Sequence, residues 1–185
     1  AARDAAYAFV GRLGERDRVG LVTYGSTATT VRALTRDRGE VQTAVRALTI
    51  DPKEERGTTN IGEAMVRAFG ELIGGGHNPD ARTVLVLMTD GKATAPDPDP
   101  EGFAREAGEA LKGMGVEIFT IGLGSDLGED FLKSLASSDT HYYRAPSVET
   151  LGAIYTTITS ALCEEGAAVI EVIPKQTGIF QTIVP

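Results

Sequence analysis

The chain has 185 residues, 42% hydrophobic and 24% charged, enough for one domain with a sizeable core and too few for two. Its 26 acidic residues outnumber 18 basic ones for a formal net charge of −8, and no basic run offsets this, which excludes nucleic acid and anionic membrane as natural partners. The longest apolar stretches, at 84–88 and 116–121, fall far short of the ~20 residues that cross a bilayer, and the single cysteine, Cys163, excludes an internal disulfide or a cysteine-built metal site.

The first residues already carry a helical pattern over 2–13, with none of the charged head, apolar stretch and cleavage site of a signal peptide, so the start reads as a cut through a longer chain. Glu15-Arg16-Asp17-Arg18 turns into the apolar run 19–24, a buried strand. Residues 27–34 are β-branched and alternate polar with apolar, which predicts an antiparallel, half-exposed edge strand. Helices follow at 38–48 and 61–73, on either side of a charged loop. The most apolar strand, 83–89, belongs at the sheet centre. The prolines of Ala95-Pro96-Asp97-Pro98-Asp99-Pro100-Glu101 lack amide donors and cannot sit inside a helix; the segment caps the helix that runs to 113. A buried strand at 116–121, a helix at 128–136 and a short strand at 141–143 precede a last helix at 148–162, with Ser147 as its N-cap. Residues 167–173 form a separate apolar run. Strands alternating with helices predict an α/β sheet covered on both faces.

Two segments carry chemistry. Gly57-Thr58-Thr59-Asn60-Ile61-Gly62 stands before one helix, and Met88-Thr89-Asp90-Gly91 follows the central strand. A hydroxyl and a carboxylate delivered to the carboxyl ends of parallel strands are hard oxygen donors, suited to Mg²⁺ or Mn²⁺ and poor for zinc. Their ordinary duties would be helix capping for Thr59 and a turn before Gly91 for Asp90.

In order and spacing, these two segments resemble the second and third loops of the metal-ion-dependent adhesion site of the von Willebrand factor A family. Asp17-Arg18-Val19-Gly20-Leu21-Val22, Val116-Glu117-Ile118-Phe119-Thr120-Ile121-Gly122-Leu123-Gly124 and Tyr142-Tyr143-Arg144-Ala145-Pro146-Ser147 extend the likeness over residues 1–163. It implies a doubly wound, mostly parallel, Rossmann-like sheet with one antiparallel edge strand, in the order 3-2-1-4-5-6. This chain would supply strands 2 to 6, without the first strand and its Asp-x-Ser-x-Ser loop. The resemblance also implies that Thr59 ligates Mg²⁺, Mn²⁺ or Ca²⁺ directly and Asp90 acts through water, in a site left incomplete here. An acidic side chain of a partner protein would fill the open position. The implied role is adhesion or complex assembly without catalysis, in a larger protein at the cell surface or outside the cell. An intracellular domain assisting an ATPase chaperone complex is the alternative within the family.

The spacing Gly122-Leu123-Gly124-Ser125-Asp126-Leu127-Gly128 raises a nucleotide-binding oxidoreductase as an alternative, but it lies late in the chain and Asp126 would repel a pyrophosphate. His77 and His141 have no nucleophile elbow nearby and read as solvated or packing residues. Prolines between Asp97, Asp99 and Glu101 break any calcium-loop pattern. By resemblance to extracellular family members, Cys163 pairs with a cysteine ahead of the first strand; a buried free thiol is the other reading. Residues 164–185 are expected to be a linker and the start of a following β domain. A sheet without its first strand would leave a vacancy between 19–24 and 83–89. Three occupants suggest themselves: a strand on residues outside this chain, which is preferred, a neighbouring molecule, or 167–173.

Overall fold

The computed structural model of the protein describes residues 2–49, 57–74, 81–124, 128–162 and 167–174. Amphipathic runs of 7 to 15 residues and short apolar ones alternate, giving α1 (Ala2–Arg12), β1 (Arg18–Tyr24), β2 (Ala28–Thr35), α2 (Arg38–Ala47), α3 (Ile61–Ile73), β3 (Arg82–Thr89), α4 (Pro100–Gly113), β4 (Glu117–Leu123), α5 (Glu129–Leu135), β5 (Tyr142–Ala145), α6 (Val148–Leu162) and β6 (Ala167–Pro174). The helix starts carry their own signals. Asp37 accepts from Glu40 N at 3.1 Å to cap α2, Asp99 from Gly102 N at 2.8 Å to cap α4 with Pro100 in its first turn, and Ser147 Oγ from Thr150 N at 3.3 Å ahead of α6.

The strands form one mixed sheet in the order β2-β1-β6-β3-β4-β5, antiparallel between β1 and β2 and parallel elsewhere. Alternate strand residues feed two layers. Val19, Leu21, Val84, Val86, Phe119, Ile121, Val169 and Ile173 pack under α1, α2 and α6; Val22, Leu85, Leu87, Ile118, Ile170 and Val172 pack under α3, α4 and α5. The inner strands are mostly apolar on both sides because both faces are covered, with Thr23, Thr120 and Glu171 among the buried polar exceptions.

One expectation is corrected. The apolar run after α6, read as the start of a following domain, is instead the central strand: β6 pairs with β1 from Arg18↔Ala168 to Tyr24↔Pro174 and with β3 from Arg82↔Ala167 to Leu87↔Val172. Of the three occupants considered for the position between β1 and β3, this was not the preferred one. The physical reason is that two ladders of backbone donors and acceptors in the most buried layer must be paired, and β6 supplies both from within the chain.

Candidate metal centre

Because β1, β6, β3 and β4 run parallel, Tyr24, Pro174, Thr89 and Leu123 end on one edge of the sheet. Loops leaving such an edge converge, and here three of them are tied together. Asn60 N donates to Gly25 O at 2.9 Å and Thr58 N to Ser26 Oγ at 3.2 Å, fastening the loop before α3 to the β1–β2 turn. On its other side, Thr59 N donates to Thr94 Oγ1 at 2.7 Å, while Thr59 O accepts from Thr94 N at 3.0 Å. The Thr59 loop is thereby clamped against the loop that carries Asp90.

Neighbouring residues carry the capping of α3 and the turn after β3. Asn60 caps α3, its side chain accepting from Glu63 N at 3.0 Å and donating to Glu63 Oε2 at 3.1 Å, so the buried Thr59 is not the cap. The turn after β3 is held by Thr89, whose hydroxyl accepts from Gly91 N at 3.3 Å and donates to Gly91 O at 3.0 Å. Burial raises the Asp90 carboxyl above its ordinary range, with its own backbone amide pulling the other way. Desolvation penalises the charged form and leaves such a carboxylate with most to gain from a cation.

Sequence reasoning missed two supports of this edge. Tyr24, fully buried at the end of β1, donates from its hydroxyl to Met88 O at 2.9 Å and so links β1 to the strand end that presents Asp90. Burial pushes its phenol far up; the Thr89 hydroxyl opposes this and the Asp90 charge adds to it. An aromatic with a polar tip as the last residue of a buried strand was the available signal. Thr94, which clasps Thr59, carried none.

The donors present fit a hard divalent cation in kind, a hydroxyl and a partly desolvated carboxylate. Among the described residues no group of three or more His, Cys, Asp or Glu comes together. Beside the Asp90 loop lies a charged pocket of about 440 Å³ lined by Lys92, Glu101, Arg105, Glu129, Asp130 and Phe131.

The other candidates find structural work. His141 Nε2 lies 3.1 Å from Glu117 Oε1, and its ring meets Phe119 edge-on with centroids 4.3 Å apart. Gly124, at φ +92°, is a turn glycine whose N–H reaches Ala145 O at 3.2 Å. His77, Asp126 and Cys163 lie outside the described residues.

The family model of the von Willebrand factor type A domain matches residues 1–157. The chain belongs to that family. A UPF0353 protein of Mycolicibacterium gilvum is 31% identical over 180 residues, which cover 85% of this chain and 52% of that protein. The chain thus spans about half the length of the curated relatives it matches. Among solved structures, proximal thread matrix protein 1 from the mussel byssus, with a zinc-occupied MIDAS motif, superposes with a TM-score of 0.71 at 22% identity, over 87% of this chain and 42% of that one. The von Willebrand factor domain of the type V pili tip protein Mfa5 from Porphyromonas gingivalis gives 0.72 at 15% identity, over 86% of each chain. At these identities the likeness establishes the von Willebrand factor A fold. The family match ends within α6, so β6 lies beyond it.

Proposed function

We propose that this von Willebrand factor A domain is a non-catalytic protein-binding module for adhesion or complex assembly, acting at the cell surface or outside the cell. Thr59 would hold a Mg²⁺-type cation directly and Asp90 would hold it through water, leaving a position for an acidic side chain of the partner. When bound, the cation supplies positive charge that mostly neutral ligands do not cancel. The observation that carries this reading is the clamp of Thr59 N and O onto Thr94, which brings the hydroxyl loop to the loop bearing the desolvated Asp90. The mixed-charge pocket beside that loop would receive polar residues flanking the partner's carboxylate. The pilus-tip neighbour supports adhesion, and the zinc-occupied mussel protein makes zinc a competitor to include in any titration.

Two protein ligands hold a cation weakly, so the test uses a probe that reports weak binding. Paramagnetic Mn²⁺ is expected to broaden the NMR signals of 58–60 and 89–94 first, and Asp90→Ala to abolish this with an unchanged circular dichroism spectrum. Broadening centred elsewhere, or undiminished in the variant, overturns the assignment. Calorimetry with Mg²⁺ is expected to show affinity weaker than micromolar.

A further inference from the structure

α3 buries Ile61, Ala64, Met65, Ala68 and Leu72 in the layer it shares with α4, and a helix so placed is expected to carry charge on its other side. Its outer face is instead partly apolar. Among the described residues three large apolar side chains are exposed, and two of them, Val66 at 51% and Ile73 at 47%, stand two turns apart on that face. Between them lies Gly70. A Cβ there would meet nothing within 4 Å, and its backbone is not left-handed, so neither packing nor conformation within the described chain calls for glycine in mid-helix. Glycine at such a position costs stability relative to alanine. What it leaves is a shallow hollow of about 250 Å³ over the helix backbone, walled by Glu63, Val66, Arg67 and Glu71.

Arg67 and Glu71, one turn apart, line one flank of this face. Neither has an ion-pair partner among the described residues. Turned about a two-fold axis between Phe69 and Gly70, the face is complementary to itself. α3 then runs antiparallel to the α3 of a second copy, with Val66 against the other copy's Ile73, the two Gly70 backbones close together, and each Arg67 level with the opposite Glu71.

We propose that the outer face of α3 is a self-association surface, through which two copies of this chain pair antiparallel about Gly70. A different protein would have to match both the apolar notch and the order of the two charges; a second copy does so by symmetry. One helix face is small beside the ~1,600 Å² of a stable interface, so the pair forms weakly and reversibly. Because the helices run antiparallel, the two Thr59 loops, each just ahead of α3, stand at opposite ends of the pair, and the dimer presents two candidate cation edges facing away from each other. The surface itself uses neither Thr59 nor Asp90, so its failure leaves the cation reading untouched.

Sedimentation velocity at low ionic strength, over chain concentrations up to the millimolar range, is expected to show a monomer–dimer equilibrium. Arg67→Glu and Glu71→Arg are each expected to weaken it by roughly tenfold or more, by setting like charges level with one another. Mixing the two single variants is expected to restore dimers, since one copy then brings two acids and the other two bases. The double variant Arg67→Glu, Glu71→Arg is expected to associate as the native chain does. Recovery on mixing cannot come from a pair within one helix. Gly70→Leu, which fills the hollow, is expected to weaken association by roughly tenfold or more while the urea midpoint of the monomer does not fall. A monomer at every concentration, equal association in all variants, or no recovery on mixing would each overturn the proposal.

Discussion

Glu171 makes the stability of the domain depend on pH. Its carboxyl is pushed up to about 7 from 4.5 by burial, with the Tyr155 hydrogen bond pulling the other way. Tyr155 is the titratable group that meets it; Leu21 and Val86 on the flanking strands and Phe9 of α1, stacked on Tyr155 at 4.7 Å, are neutral. An acid with a folded pKa above its unfolded one binds more protons when folded, so the stabilisation is complete below the unfolded value and is lost as pH rises through the folded one. Relative to Glu171→Gln, the native chain is expected to lose roughly 2–3 kcal/mol between about pH 5 and about pH 8, read from urea midpoints. A parallel pH profile in the variant would exclude Glu171 as the source. Tyr24→Phe is expected to cost about 1–3 kcal/mol, because Met88 O loses a buried donor, and to shift the NMR signals of Asp90 and Gly91. At this scale the sequence pointed to Thr59 and Asp90 as candidates through their spacing to a helix start and a strand end. It could not show Tyr24 or Thr94, whose importance lies in contacts 64 and 35 residues away in the chain.

The elements themselves were legible wherever a local pattern decides them. The apolar period of α3, the buried run of β3 and the capping residues Asp99 and Ser147 each stand in the sequence within a residue or two of where they act. β5 was placed early because Asp139–His141 closes a 3-10 turn before the strand begins at Tyr142. β6 was recognised as a strand but assigned to the wrong neighbours, since alternation says that a segment pairs and not with what; a pattern shared by edge and central strands leaves that to distant residues. Helix packing brings a sharper prediction. A Cβ on Gly62 of α3 would come 2.3 Å from Phe103 Cδ1 of α4, closer than any real contact. Gly62→Ala should therefore push α4 away and destabilise by about 1–3 kcal/mol, seen as a lower urea midpoint with an unchanged slope.

The whole molecule depends on the completeness of its sheet. Removing residues 164–185 would strip β1 and β3 of their ladder with β6 over the registers at 18–24 and 82–87. Each buried group left unpaired costs about 1–3 kcal/mol, and a few such groups exceed the ~5–15 kcal/mol by which a domain is stable. The truncated chain is expected to show no cooperative melt by circular dichroism, whereas the intact chain melts in one transition; a native-like melt would mean that β1 and β3 close directly on one another. The parallel run of β1, β6, β3 and β4 to a common edge has a mechanical consequence as well. Tension applied to whatever is held at that edge runs along the strands, so it loads the hydrogen bonds between them sideways and together. A ladder sheared in this way yields only when many bonds fail at once, whereas one peeled from its end gives way bond by bond. Pulling at the Asp90 loop against the far ends of the strands should accordingly need a larger rupture force than pulling β2 away from β1 across the sheet.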